Sequence, residues 1–502
     1  MKRRIGIGFL VVTMLCGMTA CGPKSENGKY KEAKNIIFMI GDGMGYNATK
    51  AAEVYYQDEL DGEKLSMYQL PVQGTSITYS MTNQVTDSAA GGTALSTGYK
   101  TANKTVAKST DKATEYKTTL ELAAEKGKST GIVVTTPVVD ATPATFTAHV
   151  DNREEYEEIA AQQLEKLADG SLDLSLGGGR SYYECDENAS YLEKAKKAGV
   201  TYTNVWEDTE KAKLPVVGLY AEESIDTTNE AMPSIAEMTD YALTKLSQDE
   251  EGFFLMVEGA QIDDFAEQNN LEMELHELYE FDCAVAVAKR YVEEHPDTVL
   301  IVTADHETGD VENPKEQTQD KVLEETTYST ELHTYKSVPI FAMGYRTEEL
   351  AGTHENTEVG AFVASLLGEE EFGAKSTTQV VKEYSREEVV KGTYELPMKE
   401  LEEGTKELKG VKVLHVTLEN TTEETLRLPE LQFTYKRERY TVEPQKSYIE
   451  PGETIQVDYP MPEKTWDRKL MSNISEVVLS VEEDAASFLI QNIQVTSRTG
   501  LK

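Results

Sequence analysis

The stretch NIIFMIGDG, residues 35–43 of a chain of 502 residues, joins an apolar run to the sequence Gly-Asp-Gly. Its apolar run is typical of a strand buried on both faces, and the Gly-Asp-Gly that follows is typical of a turn. Four similar runs occur later, at residues 131–134, 253–257, 299–302 and 338–342. Amphipathic helical stretches separate the runs, so we predict an α/β fold with a mostly parallel central sheet flanked by helices. Pro339 indicates that the last run is an edge strand or that the proline stands at a strand start.

Polar residues stand at or just beyond the ends of short apolar runs. They are Asp42, Asp140, Glu258, Asp263 and the pair Asp305-His306. In open α/β sheets, ligands bind at the carboxyl ends of the strands. A further stretch, Val85-Thr86-Asp87-Ser88-Ala89-Ala90-Gly91, places Ser88 where a helix of small residues is expected, with no adjacent general base. A serine in this setting suits activation by metal ions, and the pattern indicates a phosphate-ester hydrolase with several divalent metals.

The composition is that of a folded soluble protein, with 39% hydrophobic and 27% charged residues. The formal net charge of −40 argues against binding of nucleic acid, or of an anionic membrane, through a basic surface. A surface of this sign attracts divalent cations and repels polyanions. We therefore expect no nucleic-acid partner.

The N-terminus has the parts of an export signal. Lys2-Arg3-Arg4 precedes an apolar stretch that is short for a membrane span, and Met18-Thr19-Ala20-Cys21 resembles a bacterial lipobox. We predict a lipoprotein signal peptide over residues 1–21 and a polar tether over residues 22–33. The protein is then exported and held on the extracytoplasmic face of the cell membrane by a lipid on Cys21. An ordinary signal peptide with an incidental cysteine is the alternative.

The rest of the chain divides into three parts. Residues 34–374 are expected to form the catalytic domain and residues 375–409 a charged connector. Short alternating segments with turn signals then predict a small all-β sandwich of immunoglobulin type over residues 410–502. This domain has no cluster of ligand-like residues, so we expect it to be a spacer or to contact the cell surface. The sequence leaves open whether Cys185 and Cys283 pair.

Several motifs together resemble the bacterial alkaline phosphatases in kind and order. They are residues 35–45, Val85 to Ala90, Asp140-Ala141-Thr142-Pro143-Ala144, Val257-Glu258-Gly259-Ala260, Asp263, Thr303-Ala304-Asp305-His306 and His333-Thr334. The resemblance covers about Asn35 to Leu367 and does not include the predicted sandwich. It implies a phosphomonoesterase with two zinc ions and a supporting Mg²⁺, from a family that is often dimeric.

The resemblance also implies roles for individual residues. Ser88 is the expected nucleophile, which attacks phosphorus and forms a phosphoserine. Arg153 matches the arginine that holds two non-bridging oxygens of the phosphate. One zinc site is implied beside Ser88 for Asp42, Asp305 and His306, a mixed oxygen and nitrogen set that suits this metal.

A magnesium site is implied for Asp42, Thr142 and Glu258. This all-oxygen set suits a hard cation and leaves room for water. Asp140 is implied to lie behind the site, where it orients metal-bound water. His149 resembles a family position without a ligand role, and we interpret it as a structural histidine.

The second zinc site is where the sequence departs from the family pattern. The family uses an aspartate, a histidine four residues later and a distant histidine. Asp263 and His333 match, but Glu267 stands in the middle place. A carboxylate makes the site harder and more anionic, which favours Mg²⁺, Mn²⁺ or Ca²⁺ relative to Zn²⁺. Asp264 adds another negative charge beside the ligands.

We therefore predict an exported, lipid-anchored alkaline phosphatase that acts on phosphate monoesters. A phosphodiesterase or another hydrolase of the same superfamily is the alternative within catalysis. Arg153 and the third metal favour monoesters, because they suit a dianionic phosphate. A surface binding protein whose turnover is impaired by Glu267 is an alternative of a different class. His276 and His354 are weak candidates to supply the imidazole that Glu267 replaces.

Overall fold

The computed structural model describes residues 33–373, except residues 84 and 317, and the backbone of nine short strands between Glu407 and Ser480. The signal peptide, Cys21, nearly all of the tether and most of the connector lie outside the described residues, and what we expect of them stays a prediction. Within the part that the structure describes, no helix has both the length and the apolar character needed to cross a membrane.

Residues 33–373 contain strands and helices in alternation. The strands are β1 Asn35–Gly41, β2 Val72–Ile77, β3 Ser129–Pro137, β4 Leu174–Gly178, β5 Thr201–Thr203, β6 Val216–Leu219, β7 Phe253–Gly259, β8 Thr298–Thr303, β9 Glu307–Thr308, β10 Val311–Glu312, β11 Thr327–Tyr328, β12 His333–Thr334, β13 Val338–Met343 and β14 Gly352–Glu355. The helices are α1 Tyr46–Tyr55, α2 Ser88–Thr97, α3 Thr119–Glu125, α4 Ala141–Thr147, α5 Tyr156–Asp169, α6 Arg180–Tyr183, α7 Ala189–Ala198, α8 Trp206–Thr209, α9 Ile235–Leu246, α10 Gln261–Glu267, α11 Leu271–Glu294, α12 Gln319–Glu325 and α13 Asn356–Leu366.

One ten-stranded sheet organises the domain, in the order β14-β2-β13-β8-β1-β7-β3-β4-β6-β5. Neighbouring strands run parallel except at β13, which is antiparallel to both β2 and β8. The prediction of a mostly parallel α/β sheet is confirmed.

Strand β1 lies in the middle of the sheet, and all seven of its residues are buried. Ile36, Phe38 and Ile40 point to one face, where they pack with α2, α3, α4, α5 and α13. Ile37 and Met39 point to the other face, where they pack with α1, α9 and α11. Burial on both faces explains why this strand is an unbroken apolar run instead of an alternating one.

The register of the central strands determines where the polar residues meet. Ile40 pairs with Glu258 of β7 on one side and with Thr303 of β8 on the other. Because the three strands are parallel and end at the same edge, Asp42, Glu258 and Asp305 are brought to one place.

Five of the ten strands of this sheet are predicted from the sequence. The strands towards its two ends are not. Strand β2, with the sequence VQGTSI, and the three-residue β5 lack the apolar run that marks a buried strand. Strand β13 is an interior strand, so the edge interpretation of Pro339 is wrong and the strand-start interpretation is correct. Pro339 has no N–H to donate, and the pairing of β13 with β8 accordingly begins at Phe341.

The C-terminal region forms short antiparallel pairs in the residues that are described. Its strands are β15 Glu407–Leu408, β16 Val413–Glu419, β17 Leu426–Arg427, β18 Glu430–Tyr435, β19 Glu438–Val442, β20 Tyr448–Ile449, β21 Thr454–Pro460, β22 Trp466–Asp467 and β23 Ile474–Ser480. These strands agree with an all-β region. Their packing into a sandwich stays a prediction. In the catalytic domain, Cys185 and Cys283 are free thiols and do not pair.

Glu121 joins three segments on one face of the sheet. Its carboxylate forms the capping box of α3 with Thr118 and contacts His149 Nε2 at 2.9 Å and Lys166 Nζ at 2.6 Å. His149 Nδ1 also lies 3.0 Å from the carbonyl oxygen of Ala107. These contacts agree with the interpretation of His149 as structural. Burial alone would raise the pKa of Glu121, but His149 and Lys166 lower it to about 2.

We expect Glu121→Gln to lower the free energy of unfolding by about 1–3 kcal/mol near pH 6, and by less near pH 9. Burial alone would lower the pKa of His149, but the bond to Glu121 raises it above its usual 6.5. The stabilisation from protonated His149 is therefore full below pH 6.5 and is lost as the pH rises through the raised value. The carboxylate's own share is lost only as the pH falls from 4.5 towards 2.

Urea unfolding at the two pH values measures this difference. The matched control is Glu125→Gln, which removes an ion pair to Lys117 whose side chains are 55% and 49% exposed and should change stability little at either pH. Equal losses for Glu121→Gln at pH 6 and pH 9 would contradict the role given to His149.

Candidate functional site

Ser88 is the first residue of α2, at the edge of the sheet where β1, β7 and β8 end. The preceding residue, Asp87, caps the helix by accepting a 2.9 Å hydrogen bond from the Ala90 N–H. The small residues that follow are required by packing. A Cβ at Gly91 would lie 2.8 Å from the Asp305 carbonyl oxygen, and one at Gly92 would lie 2.8 Å from Thr145 Oγ1. Helix α2 can therefore approach the end of β8 closely, and this brings Ser88 near Asp305 and His306.

One group of potential metal ligands consists of Asp42, Asp305 and His306. The His306 Nε2 atom lies 3.2 Å from Asp42 Oδ1 and 3.3 Å from Asp305 Oδ2. The Ser88 Oγ atom lies 3.2 Å from the same nitrogen. All three ligands are buried, and Asp42 Oδ1 and Asp305 Oδ2 have no hydrogen-bond partner. The structure thus brings together the predicted first zinc set and the predicted nucleophile.

A second group consists of Asp263, His306 and His333. His333 Nε2 lies 3.4 Å from Asp263 Oδ2, and His306 Nδ1 lies 4.0 Å from Asp263 Oδ1. The two imidazole rings stack with their centroids 3.6 Å apart. The Nδ1 atom of His333 lies 3.0 Å from the Thr86 carbonyl oxygen, and donation to this oxygen leaves Nε2 free to bind a metal. Both groups of potential ligands thus contain His306, although the sequence predicts this residue only for the first zinc site.

Glu267 lies at the open side of the second group. Its Oε1 atom is 3.5 Å from His333 Nε2, and its side chain is 47% exposed. Asp263 and Glu267 are four residues apart on α10 and therefore lie on the same side of the helix. The residue that departs from the family pattern is thus close enough to take part in the site.

Glu258 and Thr142 form a third polar group near Asp42. Both residues are fully buried, and neither carboxylate oxygen of Glu258 has a hydrogen-bond partner, nor has Thr142 Oγ1. Buried polar atoms are rarely left without partners in folded proteins. Oxygen atoms in this condition suit a hard cation such as Mg²⁺.

Electrostatics also indicate cations at these groups. Burial and repulsion from neighbouring carboxylates raise the pKa values of Asp42 and Glu258, and they raise the pKa of Asp305 to about 7. Burial, together with the charge of His333, lowers the pKa of His306 and so favours the neutral imidazole that a metal needs. The residues present therefore fit divalent metal ions, with mixed nitrogen and oxygen donors in the first two groups and oxygen donors in the third.

Arg153 lies in the loop before α5, and its guanidinium contacts the residue that precedes Ser88. Its Nη2 donates to Asp140 Oδ1 at 3.1 Å, and its Nη1 lies 3.7 Å from Asp87 Oδ2. Burial alone would lower the pKa of Arg153, but the two carboxylates raise it, so the guanidinium stays charged. Asp140 thus contacts the predicted phosphate-binding arginine.

Other predicted residues lie outside these groups. Asp264 is on the exposed side of α10, next to Asp263. Among the described residues, the two groups of possible nitrogen and carboxylate ligands include neither His276 nor His354. His354 Nε2 instead lies 3.1 Å from the Ala351 carbonyl oxygen at the sheet edge. Neither histidine replaces the missing imidazole, and Cys21 lies outside the described residues.

Two residues that contact the site directly, Asp87 and Thr308, are not predicted from the sequence. Asp87 links the α2 cap to Arg153, and its position immediately before the helix was the available signal. Thr308 donates from its hydroxyl to Asp263 Oδ1, and its Oγ1 lies 3.2 Å from His306 Nδ1. No sequence spacing marks Thr308, because its partners come from other segments.

Comparison with known proteins adds independent observations. The sequence model of the family described as alkaline phosphatase matches residues 33–324, more than half of the chain. Alkaline phosphatase 3 from Bacillus subtilis is 36% identical over 303 residues, which cover 58% of this chain and 64% of the relative. Streptomycin-6-phosphate phosphatase from Streptomyces griseus is 32% identical over 441 residues, which cover 73% of this chain and 97% of the relative.

The fold has a matching solved structure. Alkaline phosphatase from the Antarctic bacterium TAB5 superposes with a TM-score of 0.60 and 30% sequence identity, and the match covers 68% of this chain and 99% of that one. The chain spans somewhat less than two thirds of alkaline phosphatases 3 and 4 of B. subtilis, 64% and 62% of their lengths. The family match, the relatives and the shared fold agree, and we conclude that the chain belongs to the alkaline phosphatase family.

Proposed function

We propose that this protein hydrolyses phosphate monoesters, with Ser88 as the nucleophile. The observation that carries the proposal is the position of Ser88 Oγ, 3.2 Å from His306 Nε2, the nitrogen that faces Asp42 and Asp305. A serine at this place can attack a phosphorus atom held at the edge of the sheet. The family relationship supports the same reaction class.

The reaction proceeds in two displacements at phosphorus. Ser88 Oγ forms a bond to phosphorus while the ester P–O bond breaks and the alcohol leaves, which gives a phosphoserine. Water then attacks the phosphoserine and releases inorganic phosphate and Ser88. Arg153, whose planar guanidinium presents two donors side by side, binds two non-bridging oxygens during both steps. Asp140 and Asp87 hold this guanidinium on the side of the serine.

We further propose three metal positions. Asp42, Asp305 and His306 hold the first Zn²⁺, Asp263, Glu267 and His333 hold the second ion, and Asp42, Thr142 and Glu258 hold Mg²⁺, with Asp140 behind it. When bound, such ions lower the pKa of a coordinated hydroxyl or water and neutralise charge on the phosphate and on the departing oxygen. Two TAB5 alkaline phosphatase mutants have been solved with Mg bound in a site called M3, which supports a magnesium position in this fold.

We also propose that the protein is exported and anchored by a lipid on Cys21. The support is the basic, apolar and small-residue order of residues 1–21. The overall charge of −40 argues against retention at an anionic membrane through a basic surface, and a lipid on Cys21 needs no such surface.

Ser88→Ala is expected to reduce release of phosphate from p-nitrophenyl phosphate by at least about a thousandfold, because the nucleophile is lost. Acid-quenched wild-type protein should carry phosphate on the peptide that contains Ser88, as detected by mass spectrometry. The matched control is Ser96→Ala, which removes another buried hydroxyl of α2 whose Oγ bonds only the Thr93 carbonyl oxygen. Full activity in Ser88→Ala would exclude the proposed nucleophile.

Glu267→His is expected to shift the metal preference of the second site towards Zn²⁺, because imidazole is softer than carboxylate. The measurement is metal content after chelation and dialysis against equal Zn²⁺ and Mg²⁺, together with turnover in each metal. Gln268→His is the control, since it adds an imidazole at the next position of the chain. A zinc content equal in wild type and Glu267→His would argue that Glu267 does not contribute a ligand.

Cys21→Ser is expected to move the protein from the detergent phase to the aqueous phase in a detergent-partition experiment on cells that express the full chain. The wild-type protein should also incorporate a labelled fatty acid, and Cys185→Ser, which keeps Cys21, should behave as wild type. Labelling that persists in Cys21→Ser would exclude this lipidation site.

A further inference from the structure

Lys104 lies between the N-terminal cap of α2, which precedes Ser88, and the loop that carries Arg153, and its main chain contacts both. Its N–H donates to Asp87 Oδ2 at 2.8 Å, and its carbonyl oxygen accepts from the Arg153 N–H at 2.8 Å. One residue thus links the cap of the serine helix to the backbone of the arginine. This link joins the residue before the nucleophile to the loop of the phosphate-binding group.

Asn103 adds contacts on the serine side. Its Nδ2 donates to the Val85 carbonyl oxygen at 3.1 Å, and its Oδ1 accepts from the Asp87 N–H at 3.4 Å. Its own N–H donates to Thr82 Oγ1 at 3.2 Å. The segment before Ser88 is therefore held at several points by the same dipeptide.

The dipeptide is itself fixed by the residues that follow it. Val106 and Val150 exchange two main-chain hydrogen bonds of 3.1 and 3.3 Å. These bonds hold residues 103–107 against the loop that carries Arg153. The Ala107 N–H donates to Thr93 Oγ1 at 2.9 Å, which fastens it to α2. Movement of the segment would consequently shift the helix and the arginine relative to each other.

Lys104 has a φ of +70°, in the left-handed region that few residues other than glycine and asparagine adopt. Its side chain forms an ion pair with Glu154 at 2.8 Å. The two side chains are 60% and 59% exposed. Exposed pairs of this kind contribute little to stability. The important property of Lys104 is therefore its backbone conformation, not its charge.

We propose that Asn103 and Lys104 form a brace that positions Ser88 and Arg153 for in-line attack on a bound phosphate. They are positioning residues, since they act through their contacts with Val85, Asp87 and Arg153. The inference rests on the proposed phosphatase function. A displacement of about 1 Å between reacting groups is enough to slow an enzyme about a hundredfold, so a brace of this kind affects turnover without touching the substrate.

The experiment compares Lys104→Val with Lys104→Asn in the full, metal-loaded chain. Both substitutions remove the ammonium group, but valine is strained at positive φ whereas asparagine tolerates it. For p-nitrophenyl phosphate we expect Lys104→Val to lower kcat/KM about tenfold and to weaken inhibition by inorganic phosphate. Lys104→Asn should lose much less. Glu154→Gln, which removes only the ion pair, should stay within about twofold of wild type.

A double-mutant cycle separates positioning from a general loss of stability. In an Arg153→Ala background the effect of Lys104→Val should shrink to within about twofold, because the brace acts through the arginine. Equal losses in Lys104→Val and Lys104→Asn, or an undiminished valine effect without Arg153, would overturn the proposal.

A second variant covers the case in which Lys104→Val does not fold. Asn103→Ala removes the side-chain contacts to Val85 and Asp87 without straining a left-handed residue, and it should lower kcat/KM about tenfold while the unfolding temperature stays near that of wild type. Unchanged turnover in a folded Asn103→Ala would reject the brace. If the wild-type protein shows no turnover, the proposed function fails. The brace is then tested separately by calorimetry, which measures the binding of inorganic phosphate to wild type, Lys104→Val and Lys104→Asn.

Discussion

Repulsion among buried carboxylates is the constraint on which the rest of this structure depends. Asp42, Glu258 and Asp305 are held close together at the ends of three adjacent strands, with several oxygen atoms that no hydrogen bond satisfies. Such an arrangement is unfavourable unless cations compensate the charge. The apolar layers on both faces of β1 keep the strands in register against this repulsion. The buried apolar core of the sheet thus supports a cluster of acidic side chains at its edge.

The sequence was informative where a residue's environment is encoded locally. The run at residues 35–40 marks the central strand because burial on both faces demands apolar side chains throughout, and the acidic residues after such runs mark the site because strand ends meet at one edge. Strands β2 and β14 could not be found in this way, since their polar residues are held by pairing with β13 and with each other. Their formation depends on tertiary contacts that no local pattern contains.

The same distinction applies to the site. Ser88, Asp305 and Glu258 stand in recognisable motifs, whereas Asp87 and Thr308 matter through hydrogen bonds to segments far away in the chain. The residue that departs from the family pattern, Glu267, is also the most exposed of the proposed ligands. At a half-exposed position a change of charge is partly compensated by solvent, which makes a substitution there easier to accept than one among the buried ligands.

His306 shows how strongly a single side chain can be constrained. One ring nitrogen faces Asp42, Asp305 and Ser88, while the other faces Asp263 and Thr308. The neutral ring has a lone pair on one nitrogen and an N–H on the other, so it can bind a metal or accept on one side and donate on the other. Asparagine and glutamine also join an acceptor to a donor, but they carry both on one flexible amide and not on opposite edges of a rigid ring. Any substitution at position 306 therefore removes a contact on one side of the ring or on the other.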